Sequence, residues 1–324
     1  MAFQDATRRK FLPLSTQAKG TSNPLTWQIP KTGLFAGLYL TIRGAVVDNG
    51  SFANPNPMGL ASIVRRVRLI TNAGIDLVSI SGVGYSYLLR NFLEDYRDPV
   101  PNNNGTSAVN AVSAPGQAFN LDMYIPAVLN SRDPVGLFML QNEQTLVQLQ
   151  VEFEADAAVA SDVTVSATVT PYVEIFTVPQ RTEDWPRLDV VQQIVEDTQA
   201  VTAVGELDYY WPRGNTYVQV LHGYGIGASA SDDWSRAQLI VNQSDVLNEY
   251  TPAAADIEYS KTHGVARPAG VLPFDLLGTS GLGAFGSARD LFYSGLVTDL
   301  FSRITISAQP GTLYTVRRQL IALS

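Results

Sequence analysis

Apolar and polar positions alternate in short runs along most of the chain, and the same succession of runs occurs twice. In the first half, alternation over Trp27 to Val47 predicts strand, followed by a loop rich in Asn, Pro and Gly from Asp48 to Gly59. Ile63 to Ile70 and Ile75 to Ile80 flank Thr71-Asn72-Ala73-Gly74, small and turn-forming residues that close a hairpin. Tyr85, Leu88, Leu89, Phe92, Leu93 and Tyr96 then recur at helical spacing, with Arg90, Asn91, Glu94 and Asp95 opposite, and Asp98-Pro99 ends the helix. The strand pattern returns over Phe119 to Ile125, Leu146 to Phe153 and Val163 to Val178. In the last of these Val163, Val165, Ala167 and Val169 alternate with hydroxyl side chains.

The second half repeats the order. Gln17-Ala18 aligns with Gln199-Ala200, Trp27 with Tyr209 and Pro30-Lys31 with Pro212-Arg213, all at an offset of 182 positions. Leu69-Ile70-Thr71-Asn72 aligns with Leu239-Ile240-Val241-Asn242 at an offset of 170, so the intervening loop has shortened while the strands have kept their order. Val246 to Tyr250 completes a second hairpin. Thr251-Pro252 reads as cap and first turn of a helix over Ala253 to Thr262, with His263-Gly264 as its stop. Strand signals follow at Val271 to Leu276, Leu300 to Ser307 and Leu313 to Leu323. Internal self-similarity fixes the folding unit before any element is assigned. About eight short strands per half, one helix each and no βαβ alternation predict two all-β units, each an eight-stranded jelly roll with one short helix insertion. The expected boundaries are a basic N-terminal arm over 1–20, a first roll over 21–180, a linker over 181–198 and a second roll over 199–324.

Composition sharpens this picture. At 324 residues the chain is large enough for two cores, and 45% hydrophobic against 16% charged residues leaves a surface suited to contact with other subunits. The net charge of −8 argues against a main role in gripping nucleic acid, whose affinity for proteins comes mostly from Lys and Arg neutralising phosphates. Residues 1–20 run the other way, with Arg8, Arg9, Lys10 and Lys19 against Asp5. A basic end on an acidic body points to an anionic neighbour. Without cysteine there are no disulfides and no thiolate metal sites. No run reaches the ~18 apolar residues of a membrane span. Arg8-Arg9-Lys10-Phe11-Leu12 has the look of a twin-arginine signal, but Pro13-Leu14-Ser15 follows where an apolar stretch would be needed.

Two like jelly rolls in one chain, a basic start and no catalytic constellation together resemble the double jelly-roll major capsid proteins of tectivirus-like icosahedral viruses with an internal membrane. The resemblance rests on architecture and repeat pattern, not on a short motif. It implies a structural, non-enzymatic protein without cofactor, made in the host cytoplasm and placed in the virion shell, bacteriophage shells included. It also implies a homotrimer whose six rolls make a pseudo-hexagonal capsomer, neighbouring capsomers and minor capsid proteins as partners, and loops such as Asp48 to Gly59, Pro99 to Gly116 and Gly225 to Asp233 as outer towers. Arg8, Arg9 and Lys10 become candidates for the inner surface and for contact with anionic lipid headgroups.

Rival chemistry is sparse. Gly281-Leu282-Gly283-Ala284-Phe285-Gly286 matches a dinucleotide fingerprint but lacks the βαβ setting, so an inter-strand loop is the better reading. His222 and His263 are the only histidines, and a hydrolase on a β scaffold would need one of them; neither sits in a metal or nucleophile motif, which favours packing or capping. Asp232-Asp233 and the Asn72/Asp76 and Asn242/Asp245 turns offer oxygen ligands of the kind calcium takes, yet Asn and Asp are expected in turns anyway. Asn49, Asn104 and Asn242 head glycosylation-type triplets that serve equally as turns. Tyr209, Tyr210, Trp211, Tyr217 and Tyr224 suit a core or subunit contact. They also keep open the alternative of a tandem β-sandwich carbohydrate-binding or host-attachment protein of a phage.

Overall fold

The computed structural model describes all residues except 1–2, 4–5, 54, 72–73, 94–116, 130–133, 142–145, 228, 265, 277–290, 309 and 323–324. The Gly281 to Gly286 motif, the Pro99 to Gly116 segment, Asn72, Asn104 and the Glu94 to Tyr96 end of the expected helix lie outside the described residues.

The first half contains β1 (Arg9–Pro13), β2 (Gln17–Ala18), β3 (Leu25–Gln28), β4 (Leu34–Ala53), β5 (Val64–Thr71), β6 (Asp76–Ile80), β7 (Gln117–Pro126), β8 (Phe138–Met139), β9 (Val147–Phe153) and β10 (Ser161–Phe176). The second contains β11 (Val190–Val201), β12 (Gly205–Tyr210), β13 (Thr216–Gly223), β14 (Trp234–Val241), β15 (Asp245–Tyr250), the helix α1 (Pro252–His263), β16 (Val271–Asp275), β17 (Phe292–Tyr293), β18 (Leu300–Ile306) and β19 (Gly311–Ala322).

Each half is two facing sheets with one strand order. In the first, β1-β10-β4-β7 faces β6-β5-β9-β3; in the second, β11-β19-β13-β16 faces β15-β14-β18-β12. Corresponding strands occupy corresponding places, which is the jelly-roll arrangement twice over. The sequence offsets hold down to single bonds. Trp27 Nε1 donates to the Ser15 backbone carbonyl at 2.6 Å, and Tyr209 Oη donates to the Asp197 side-chain carboxylate at 2.6 Å, donors and acceptor residues alike being 182 positions apart though the acceptor groups differ. Ile29 N donates to Val147 O at 3.0 Å, and Trp211 N donates to Leu300 O at 2.9 Å. Inward alternation is clean in β9 and β10, where Val147, Leu149, Val151, Val163, Val165, Ala167 and Val169 are all buried.

Four segments differ from the sequence expectation. Residues 9–13 are not a free arm: β1 pairs antiparallel with β10, Arg9 opposite Phe176 through Pro13 opposite Tyr172. Charge masked the strand, yet charged side chains and Pro are what an edge strand tolerates. The connection over 181–198 is shorter than expected, because β11 begins at Val190 and its alternation includes buried Gln192 and Glu196. β4 runs on to Ala53 and takes in the start of the expected Asp48 to Gly59 loop. The helix expected in the first half is irregular, a wide π-turn over Gly84–Leu88 followed by a tight 3-10 turn over Leu89–Phe92, while α1 is regular and capped by the Thr251 hydroxyl on Ala254 N.

Gly44 lies in β4 where β10 and Phe119 close in. A Cβ there would stand 2.0 Å from Ser166 O and 2.8 Å from the Phe119 ring, and the first of these is backbone. Gly44→Ala is expected to destabilise the first roll by about 1–3 kcal/mol, the range for overpacking a filled core. Urea unfolding followed by tryptophan fluorescence checks this, and an unchanged midpoint would contradict it.

Candidate functional site: the seam between the two rolls

The two rolls share a sheet. β6 of the first pairs in parallel with β11 of the second, Val78 opposite Ile194 and Ser79 opposite Val195, so eight strands run continuously from β16 to β3. The helical segment Gly84–Phe92 and, of the loop after β7, Pro126 to Leu129 and Gly136 lie against the outward face of β11, β19 and β13. Val191, Ile194, Leu221, Val271 and Val316 from the second half belong to the first roll's apolar cluster. Leu88 sits so close to Gly223 that a Cβ on the glycine would stand 2.8 Å from it.

Buried polar groups fix the register. The Arg318 guanidinium donates to Gln192 Oε1 at 2.8 Å, to Val128 O at 3.3 Å and to Leu129 O. Gln192 Nε2 donates to Pro126 O at 2.6 Å, and Gln193 Nε2 to Asp76 O at 2.7 Å. Glu196 reaches across to Ser81, accepting from its backbone N–H and from its hydroxyl at 2.8 Å, while the Ser81 hydroxyl accepts from Gly84 N at 3.0 Å. Burial pushes the Glu196 carboxyl above its usual range, and the Ser81 bonds and the nearby Arg66 charge offset this only in part. At the far end of the seam Tyr259 Oη donates to Asn91 O at 2.8 Å, and the Phe92 ring meets Tyr259 and His263 at 5.0 and 5.4 Å.

The residues singled out in the sequence fall into separate places. Arg9 pairs with Glu174, lies 5.1 Å from the Phe11 ring centre and donates to Tyr39 Oη at 3.5 Å; Lys10 is exposed beside it on β1. His222 is buried inside the second roll between the Thr315 and Ser302 hydroxyls, each at 2.8 Å, and Trp211 Nε1 donates to the same Ser302 hydroxyl at 2.6 Å. Burial pushes His222 down to about 3, so it is a neutral packing residue at physiological pH. His263 stands 3.6 Å from Asp275 beside the seam. Asp232 is taken by Arg267, through two bonds of 3.0 and 2.7 Å, and by Gly270 N. Asn242 shapes its turn with φ 50° and accepts from Thr298 N and Oγ1. Among the described residues no three His, Asp or Glu side chains converge as a metal site, and no helix is long and apolar enough to cross a membrane. Trp211, Tyr217 and Tyr224 are buried in the second core, which leaves Tyr210 as the exposed aromatic of that segment. Sequence reasoning missed the seam residues Glu196, Arg318 and Gln192. Their signal was polar side chains inside otherwise apolar strands, above all the run Arg317-Arg318-Gln319 in β19.

No protein-family profile and no curated protein matches the sequence. Solved structures do match. The chain is similar to the major capsid protein of Sulfolobus turreted icosahedral virus, with TM-score 0.72 and 14% identity over 97% of each chain. It is similar to the PBCV-1 virus capsid, with TM-score 0.65 and 11% identity over 97% of this chain and 94% of that one. It is also similar to the major capsid protein of bacteriophage PM2, with TM-score 0.60 and 11% identity over 98% of each. The chain therefore has the double jelly-roll fold, as the repeat predicted.

Glu196 has a folded-state affinity for its proton raised above the ordinary value near 4.5, so its contribution to stability is present below that pH and is lost as pH rises through the raised value. Glu196→Gln keeps an acceptor for Ser81 N–H and has no proton to lose. Thermal midpoints measured from pH 4 to pH 8 should show wild type losing ground to the variant as pH rises; two parallel curves would refute this.

Proposed function

We propose that this chain is a structural, non-enzymatic protein, the major capsid subunit of an icosahedral virus, and that it associates with itself as a homotrimer whose six jelly rolls form a pseudo-hexagonal capsomer. The observation that carries the reading is the pair of like rolls fused through one sheet, in a fold that covers nearly the whole of both this chain and solved major capsid proteins. Physical geometry supports it. A six-lobed block needs six wedges related by similar rotations, a duplicated chain supplies two, and a closed ring of three supplies the rest. The low charged fraction and the burial of the second-half aromatics fit a protein that covers itself with copies better than one that presents a sugar platform. Its place in this reading is the virion shell.

Native mass spectrometry of the purified chain should give three times the 35.2 kDa of one copy, and negative-stain micrographs should show six-lobed particles. A chain that stays monomeric at high concentration and forms no such particles would rule the reading out.

A further inference from the structure

The seam inside the chain is a template for a second contact. In it, the edge strand β6 and the helical segment that follows it meet the edge strand β11 and the outward face of β11, β19 and β13. The repeat places β15 and α1 where β6 and that segment stand, and places β1, β10 and β4 where β11, β19 and β13 stand. Among the described residues β15 and β1 each close one end of their own sheet. One copy of the joint is made; the two halves of another lie unused on the same chain.

Those unused halves have matching surfaces. On the β15 side Val246, Leu247 and Ile257 are 46%, 50% and 72% exposed, and Ile257 sits on α1 just beyond the strand. On the β1 side Phe11 is 44% exposed and heads an aromatic row, with Tyr39 at 4.8 Å and Tyr124 at a further 4.3 Å. Leu221, whose place in β13 matches that of Tyr39 in β4, is one of the residues the first roll covers inside the chain. Charge agrees: Arg8 and Lys10 are exposed at β1 and Asp245 is exposed on β15, with Glu258 on α1, while Arg9 and Glu249 are already paired within the chain, to Glu174 and Arg236. Exposed apolar side chains on unpaired edge strands are normally avoided in a monomer, because such edges invite pairing with another chain.

We propose that β15 and α1 of one copy dock on β1 and the Phe11–Tyr39–Tyr124 row of a second copy, repeating between chains the contact that β6 and Gly84–Phe92 make with β11 within each. The proposal rests on the capsid reading for its stoichiometry. It is a head-to-tail contact, and if its rotation matches that of the internal seam, three chains close into a ring with six like joints. It also gives Arg8 and Lys10 a protein neighbour in place of the anionic lipid suggested by the sequence.

The test uses the full chain in two forms. Leu247→Asp with Ile257→Asp breaks the β15 side, and Phe11→Asp breaks the β1 side; Lys10→Glu backs up the latter on the same strand. All four positions are exposed, and circular dichroism confirms the fold. Native mass spectrometry and sedimentation should show each form dissociating to monomer at concentrations at least about tenfold above wild type, the loss expected when a central contact is removed. Because each form keeps one good side, an equal mixture should give a dimer containing one chain of each and no trimer. Trimeric wild type with equally trimeric, folded variants would overturn the proposed contact and leave the capsid reading standing; monomeric wild type would overturn both. A further arm measures binding to vesicles of phosphatidylglycerol. If Arg8→Glu with Lys10→Glu abolishes that binding and leaves the trimer intact, the basic strand faces lipid and the proposal fails.

Discussion

The outward face of β11, β19 and β13 cannot stand in water, and the chain is arranged around covering it. Ile194, Leu221, Val271 and Val316 are buried in a cluster most of whose members belong to the first roll, each contributing about 1.5–3 kcal/mol relative to exposure. Arg318 and Gln192 find acceptors in backbone carbonyls of the loop after β7, and Glu196 finds its donors in Ser81. Without the first roll these groups would lose apolar cover and specific partners together. The second roll is therefore complete in topology but incomplete in surface, and the two rolls are stable as a pair.

Apolar area and polar contacts specify different things at this joint. Apolar burial opposes a one-residue slip of β11 along β6, which would turn each side chain to the other face, but a two-residue slip keeps every side chain on its face and is opposed less. The polar contacts forbid the slide. Gln193 holds the carbonyl of Asp76 at one end of β6, Glu196 holds Ser81 just past its other end, and Gln192 with Arg318 holds the Pro126, Val128 and Leu129 carbonyls on the neighbouring loop. A shift of one residue would break them all and leave buried donors and acceptors unmatched, at about 1–3 kcal/mol each. The same division appears inside the second roll. There Trp211, His222, Ser302 and Thr315 form a hydrogen-bonded chain between sheets, while Asp197 holds Tyr209 and Arg317.

Much of this was legible in the sequence. Offsets of 182 and 170 located the strands that correspond between halves, because loops change length while paired strands keep their order, and the like bonds of Ile29 N and Trp211 N show that the correspondence reaches individual backbone groups. Hairpins and the α1 cap were readable from turn and cap chemistry alone. Two things were not. β1 carries Arg9 and Lys10 on an edge, where solvent satisfies charge without breaking the strand, so a charge-based reading sees an arm. The seam was hidden for the opposite reason. A strand covered on both faces should read as uniformly apolar, but β11 and β19 meet their second cover through Gln192, Glu196 and Arg318, which look like solvent-facing residues until a partner is placed over them.

The difference between corresponding faces has a physical logic of its own. On the second roll the face is built from Ile194, Leu221 and Val316 and is covered by another part of the same polypeptide, so it is never left in water once the chain has folded. On the first roll the corresponding position to Leu221 is Tyr39, flanked by Phe11, Tyr124, Arg9 and Glu174, with Tyr39 itself only partly covered. A surface that must stay soluble until a separate chain arrives cannot be a sheet of aliphatic side chains. Tyrosine and arginine meet that demand, since each presents large contact area while keeping a polar end for water, which is why such residues are enriched where folded proteins meet. Duplication supplied two copies of one surface. The seam within the chain covers the aliphatic copy, and the other copy, the one the proposed contact would cover, is amphipathic.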